Sequence, residues 1–233
     1  MRYLKSDKLY CFSPPVMIVT FAIEIACAVY VLWRYKLNSI TRLAALVLVG
    51  LATFQLAEYN VCEGAWGVDS LTWAKIGYVA ITLLPPLGLH LATRLAGEKR
   101  PVLLGLSYGA ALAFSVFFLF SGYGLQTQQC LGNYVIFTTA PWAVAPYAMY
   151  YYGLLLVAVG YAWKAGKVMK SKAKRGALYA LAAGYLAFIV PTTLVNIVDP
   201  STIAGIPSIM CGFAVLLALA LTFIVLPRYY AKT

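Results

Sequence analysis

Four ionisable side chains interrupt long apolar stretches of this 233-residue chain, and they are the residues best placed to do chemistry: Glu24, Glu58, His90 and Asp199. An ionisable group inside a bilayer is costly unless it faces a partner or water, so such residues typically mark ligand sites, ion paths or proton relays. Glu24 lies near the middle of its stretch. We expect it either to be protonated or to point at a polar partner inside the protein.

Glu58 is the centre of a second group of polar residues. Gln55 and Cys62 lie three residues before it and four after it, so all three share one stripe of a helix. Asn196 and Asp199, three residues apart, end a later apolar stretch at the same depth. If these two helices line one cavity, their carboxylates and amides could bind a cationic or hydrogen-bonding ligand. The alternative is that they cap helix ends and join neighbouring helices.

Tyrosines are crowded in the fifth apolar stretch, where Tyr150, Tyr151 and Tyr152 follow Tyr147. Such residues usually form a belt at the membrane surface, and a cavity with aromatic walls beside the acidic groups is the alternative. The predicted ligand-binding residues are therefore Gln55, Glu58, Asn60, Asn196, Asp199, Tyr147 and Tyr151.

Seven apolar stretches are long enough to cross a membrane as helices, which requires about 20 residues each. Lipid offers no partners to open backbone groups, and the stretches lack the alternation of barrel strands. The sequence thus predicts an all-α polytopic membrane protein that forms one domain over 1–233, a multi-pass protein of the cell membrane. The predicted spans are 14–33, 41–62, 73–96, 101–120, 143–163, 176–198 and 203–226.

The cationic residues predict the orientation of these spans. All of the 18 Lys and Arg residues lie in the first, third and fifth connections or the C-terminal tail, except Arg2, Lys5, Lys8 and Lys75. The positive-inside rule then puts the N-terminus outside and the C-terminus in the cytoplasm. The net charge of +11 thus indicates topology and anionic lipids as partners, and not nucleic acid.

One cytoplasmic connection holds the densest cationic cluster. We expect it to contact lipid headgroups, with docking of a cytoplasmic protein as the alternative. Its members are Lys164, Lys167, Lys170, Lys172, Lys174 and Arg175.

Three of the five cysteines fall on the outer side, where disulfides persist. We favour a Cys62–Cys130 bridge, with Cys11 as an alternative partner for either residue and three free thiols as the remaining possibility. Cys27 and Cys211 are interpreted as small apolar fillers within spans.

Motifs for enzymes are missing from the sequence, so we expect no enzyme, no metal and no cofactor. A single histidine does not suit a multi-histidine zinc site. Neither GxSxG nor HExxH occurs. The stretch 203–226 has no lysine that could hold retinal.

Several segments carry a resemblance to a known family. The segment from Trp73 to Gly97, with a Pro pair, a His and a terminal Gly in order, resembles the third helix of the seven-helix N-terminal sensor region of prokaryotic histidine kinases. The segment 140–153 resembles the fifth helix of that region, and 189–196 with Ile206-Pro-Ser resembles the sixth and seventh. Glu58 matches the acidic position that ends the second helix.

That resemblance implies a sensor, yet the kinase or cyclase output module of the family is missing from this sequence. We therefore expect a stand-alone sensor or receptor-like module that binds a small ligand from outside and signals to a separate cytoplasmic protein. The alternative is a carrier, or a structural subunit, in which Glu24, Glu58 and His90 form a proton or substrate path across the membrane.

Overall fold

The computed structural model describes residues 13–125, 127–130 and 135–231, and within them seven helices are long and apolar enough to cross a membrane. The seven-helix prediction is confirmed, and most helix ends lie within about four residues of their predicted positions. The helices are α1 (Pro14–Arg34), α2 (Ser39–Glu63), α3 (Ser70–Ala96), α4 (Pro101–Phe120), α5 (Pro141–Val168), α6 (Lys172–Val198) and α7 (Ile206–Tyr230).

Local sequence signals set the helix ends. The Asn38 side chain accepts hydrogen bonds from Ile40 N and Thr41 N at the start of α2. Asp69 caps α3 by accepting from Thr72, and these hydrogen bonds lower the pKa of its carboxyl group. Gly97 ends α3 at φ 77°, a left-handed conformation that glycine adopts without strain.

The helices alternate in direction, so the connections fall at two ends of the bundle. We name the end with connections 35–38, 97–100 and 169–171 the basic end. The hairpin end has the connections α2–α3, α4–α5 and α6–α7. These names describe the bundle alone and do not assume which end faces outward.

The core of the bundle is built around α2 and α3, which have the largest share of buried residues. The first helix packs against α2 and also contacts α7, while α6 packs between α5 and α7. The fourth helix packs against α3 and, more weakly, α5, and most of its surface is exposed.

Two prolines lie inside α3, Pro85 and Pro86, and each leaves a backbone carbonyl of the preceding turn without its helical N–H donor. Pro86 has no N–H, so it cannot bond the carbonyl of Thr82 four residues earlier. The Tyr150 hydroxyl of α5 donates to that carbonyl instead, at 2.6 Å. Pro207 lies in the first turn of α7, where a missing N–H leaves no hydrogen bond unmade.

A short β-hairpin between α4 and α5 was not predicted. Strands β1 (Thr127–Cys130) and β2 (Val135–Thr138) pair antiparallel, with Cys130 opposite Val135. A disulfide joins Cys130 to Cys62 at the end of α2, with Cα atoms 5.7 Å apart, and this is the pair that we favoured from sequence. Cys27 and Cys211 are buried free thiols. Cys11 lies outside the described residues.

Tyrosine contacts at the basic end tie the last helix to the first two. The Tyr230 hydroxyl lies 2.9 Å from Asn38 Oδ1 and 2.8 Å from Thr41 Oγ1. Its ring stacks on Tyr35, with centroids 4.9 Å apart. The end of α7 is thereby held against the connection between α1 and α2.

Candidate functional site

A cavity of about 460 Å³ opens at the hairpin end of the bundle. Its walls are parts of α3, β2, the first turns of α5, the 3-10 segment Pro200–Gly205 and the start of α7. Volumes of this size are typical of small-molecule sites. The lining residues are Tyr78, Ile81, Ile136, Phe137, Thr138, Thr139, Val144, Tyr147, Ala148, Tyr151, Tyr152, Ile203, Ile206, Pro207 and Met210.

Aromatic rings in mutual contact form one side of this cavity. The Tyr78 ring meets Phe137 of the hairpin edge-on, with centroids 5.2 Å apart, and lies 6.1 Å from Tyr147. Tyr147 also contacts Tyr151, one helical turn further along α5. Edge-to-face and offset pairs of this kind stabilise each other by about 0.5 to 1.5 kcal/mol. The wall is therefore a preformed aromatic surface.

Hydroxyl groups supply most of the polarity in the cavity. Tyr147 uses its hydroxyl within the protein, at 2.9 Å from Thr82 Oγ1. The hydroxyls of Tyr78 and Tyr151 have no hydrogen-bond partner among the described residues. A ligand with an apolar body and one or two hydrogen-bonding groups would match this lining.

The cavity is open beside the first turn of α5 and the 3-10 segment. Val144 and Ile203 line the cavity and are 53% and 55% exposed, so they flank this opening. The last turns of α6 do not line the cavity, and Leu194 and Ile197 on them are largely exposed.

The structure divides the predicted ligand-binding residues into three places. Tyr147 and Tyr151 line the cavity, but no part of α2 or α6 does, so the shared α2–α6 cavity that we considered is replaced by one between α3, α5 and α7. The reason is packing: α6 lies against α5 and α7. The five predicted residues outside the cavity lining are Gln55, Glu58, Asn60, Asn196 and Asp199.

Asn196 and Asp199 make hydrogen bonds to the turn that follows α6. The Thr202 hydroxyl donates to Asn196 Oδ1 at 2.8 Å. Asp199 accepts from Ser201 N at 3.1 Å and caps the 3-10 segment. These two residues therefore shape the connection that carries Ile203 to the cavity.

Glu58 lies behind the cavity wall, in a buried acidic cluster with Glu24. Both carboxyl groups are buried, and they are close enough to interact electrostatically. Ser208 of α7 is a neighbour of Glu58, and Cys211 of the same helix is near both acids. Tyr78, which lines the cavity, is the neighbour of Glu58 on α3.

Several atoms in or beside this cluster have no hydrogen-bond partner within the described ranges. They include both carboxyl oxygens of Glu24 and Oε1 of Glu58. Gln55 Nε2 and Asn60 Oδ1, on the same helix as Glu58, are also buried and unpartnered. Unpaired buried polar atoms are rare in folded proteins, so each of them calls for an explanation.

His90 lies away from both acids, on the side of α3 that faces α4. Its Nδ1 is 3.1 Å from the Tyr108 hydroxyl, and its Nε2 accepts from Arg94 Nε at 3.2 Å. A ring that accepts at Nε2 carries its proton on Nδ1 if it is neutral. The structure therefore does not place His90 in line with Glu24 and Glu58.

The predicted cytoplasmic cluster forms an exposed surface at the basic end. Five of its members are exposed, and Arg175 is half-buried. Among the described acidic residues, Glu98 is the one in a connection of this end, and it pairs with Arg100 at 2.7 Å. The lysines of the α5–α6 connection therefore present mostly uncompensated positive charge.

Sequence reasoning did not identify Tyr78, Met210 or Phe137 as cavity residues, because nothing local shows which helices are neighbours. Within the described ranges, no group of three or more His, Cys, Asp or Glu residues could hold a metal ion. No protein-family model matches the chain, and no curated protein matches it either.

Proposed function

We propose that this protein is a membrane receptor or sensor that binds a small, largely apolar ligand in the cavity at the hairpin end. The observation that carries this proposal is the cavity itself, with its preformed aromatic wall and two unpartnered tyrosine hydroxyls. Of the cationic or hydrogen-bonding ligand that we expected, this proposal keeps the hydrogen-bonding kind, since the carboxylates do not line the cavity.

Charge supports signalling at the opposite end. The positive-inside rule places the basic end in the cytoplasm, and the cavity then opens at the outer half of the membrane. The cavity touches α3, α5 and α7, and these helices continue to the basic end, where α5 leads into the exposed lysine cluster. A ligand that favours one arrangement of these helices would change the surface offered to a cytoplasmic partner.

The carrier alternative requires a polar path between the two ends. Deeper in the bundle, Tyr151 and Met210 also border a void of only about 10 Å³, whose other walls include Leu51, Leu84 and Leu155. Such a space has room for at most one water. The structure thus favours a site that opens at one end, which suits a receptor better than a carrier.

The test uses indole as the probe, since it combines a flat aromatic ring with one N–H donor. In lipid nanodiscs, indole at about 100 times its dissociation constant should stabilise the wild type by about 2.7 kcal/mol. Ala148→Phe should abolish this effect by filling the cavity. Ala145→Phe is the matched control, because Ala145 is an exposed position on the same helix that does not line the cavity.

Indole stabilisation that survives Ala148→Phe, or its absence in the wild type, would count against the cavity as a site for aromatic ligands. If Ala148→Phe and Ala145→Phe lose the stabilisation by indole equally, indole partitions into lipid at the helix surface, which also contradicts the proposal. Melting of each variant without indole shows whether it is folded.

A further inference from the structure

We propose that Glu24 and Glu58 form a buried proton-binding site, linked through Ser208 to the β-hairpin that walls the cavity. The proposal does not depend on the identity of the cavity ligand. It assigns a ligand, the proton, to the group of atoms that the packing leaves unsatisfied.

The surroundings of the two acids disfavour two negative charges. Three of their four carboxyl oxygens have no hydrogen-bond partner among the described residues. The titratable groups that face the acids are Tyr78 from α3 and Cys211 from α7, and no described Lys, Arg or His is among them. An ionised carboxylate so buried and unpaired is too costly to persist, so a bound proton is required.

A proton fits this cluster better than a metal ion. A metal would need several oxygen ligands, and the described residues contain no group of three acidic, Cys or His ligands in one place. A proton needs only one donor oxygen and one acceptor. Gln55 Nε2, three residues before Glu58 on α2, is a buried donor that also has no partner among the described residues.

Ser208 of α7 lies between Glu58 and the hairpin. The Val135 amide at the start of β2 donates to Ser208 Oγ at 3.2 Å. A serine hydroxyl can accept one hydrogen bond while it donates another, and the carboxyl of Glu58 is the acidic neighbour of Ser208. A change in the protonation of the two acids can therefore alter the hydrogen bond between Ser208 and Val135. The next two residues of that strand, Ile136 and Phe137, line the cavity.

Infrared spectroscopy tests the proton directly. At neutral pH the wild type should show the carbonyl-stretch band of protonated carboxylic acid, and Glu24→Gln and Glu58→Gln should each weaken or shift it. Glu63→Gln, an exposed position on the same helix as Glu58, should leave the band unchanged. A wild-type spectrum without the band, or a band unaffected by both buried substitutions, would overturn the site.

Unfolding gives a second readout that does not depend on band assignment. A proton bound only in the folded state makes the protein less stable as pH rises, by about tenfold in the unfolding constant per proton and pH unit. The double variant Glu24→Gln/Glu58→Gln should lose this slope at alkaline pH. An alkaline slope equal to that of the wild type would contradict the proposal.

Amide exchange tests the link to the hairpin. After correction for the intrinsic rate, exchange of the 135–138 segment should accelerate in the wild type where the acids lose their proton. It should be independent of pH in Glu58→Gln, and fast at every pH in Ser208→Ala. If the corrected exchange rates of the hairpin depend on pH in the same way in all three proteins, the acids and the hairpin are not coupled.

Discussion

Tyr150 has a defined role at the scale of single residues, because its hydroxyl serves the Thr82 carbonyl that Pro86 leaves without a partner. A buried carbonyl that loses its donor costs about 1 to 3 kcal/mol. The tyrosine therefore compensates structurally for a proline on another helix.

A double-mutant cycle tests this role. Tyr150→Phe should lower the free energy of unfolding by about 1 to 3 kcal/mol, because the carbonyl of Thr82 is then unpaired. In a Pro86→Ala background the residue at 86 has its own N–H, so the same substitution should cost much less. Equal costs in the two backgrounds, measured by reversible denaturation in micelles, would refute the pairing.

Glu98 offers a pH-dependent contact at the basic end. Hydrogen bonds from the Tyr161 hydroxyl, at 2.7 Å, and from Arg100 hold the pKa of its carboxyl group below the usual value. Because this pKa is lower in the folded state, the contact stabilises the protein at neutral pH. That contribution is lost as pH falls through the folded-state pKa.

Glu98→Gln should therefore reduce the dependence of stability on pH in the acidic range and leave the alkaline range unchanged. The measurement is the melting temperature as a function of pH, with Asp69→Asn as a comparison at the other end of α3. If the acidic slope is the same in Glu98→Gln and the wild type, Glu98 does not contribute as described.

At the scale of helices, α3 and α6 approach each other closely at Gly88. A Cβ at this position would overlap the Tyr185 hydroxyl of α6, whereas one at Gly109 on α4 would meet open space. Close approach at small residues is the usual means of packing helices in membranes. The contact joins a helix that lines the cavity to one that leads back to the lysine cluster.

Gly88→Ala should destabilise the protein by about 1 to 3 kcal/mol, because the buried Tyr185 side chain must move to admit the methyl group. Gly109→Ala should be neutral or stabilising by up to about 1 kcal/mol, since alanine favours the helix. Thermal unfolding of both variants and the wild type in the same lipid measures these two changes in stability. A similar effect of both substitutions would show that the α3–α6 contact is not tight.

The helices were predictable from sequence, but their neighbours were not. Long apolar runs dictate spans, so seven helices could be placed to within a few residues. The residues that end up together depend on packing around the bundle, which hydropathy does not report. Glu58 and Asp199 lie near the same end on different helices, yet Asp199 caps its own turn, while Glu58 faces α1 and α7.

Short elements were equally hard to predict. The hairpin has only four residues in each strand, in a connection without a clear alternating pattern. The Cys62–Cys130 bridge, by contrast, could be anticipated, because the positive-inside rule predicts both cysteines on the side where disulfides persist. The sequence thus indicated the disulfide but not the β1 strand that the disulfide ties to α2.

At the scale of the whole molecule, the orientation remains a prediction of charge and can be tested independently. In intact cells, a membrane-impermeant maleimide should label a cysteine placed at exposed Val68, and should label Lys170→Cys only after the membrane is permeabilised. Both substitutions are made in a Cys11→Ser background, so that the described native cysteines are bonded or buried. The opposite pattern would place the cavity on the cytoplasmic side.

Site mapping tests the central claim most directly, which is that a ligand occupies the cavity between α3, α5 and α7. A photoreactive indole carrying a diazirine should label residues 144–152 and 203–210 in nanodiscs, as read by mass spectrometry of the digested protein. Excess indole should compete, and Ala148→Phe should remove the label while Ala145→Phe keeps it. Labelling spread over the exposed face of α4 and unaffected by Ala148→Phe would contradict the account.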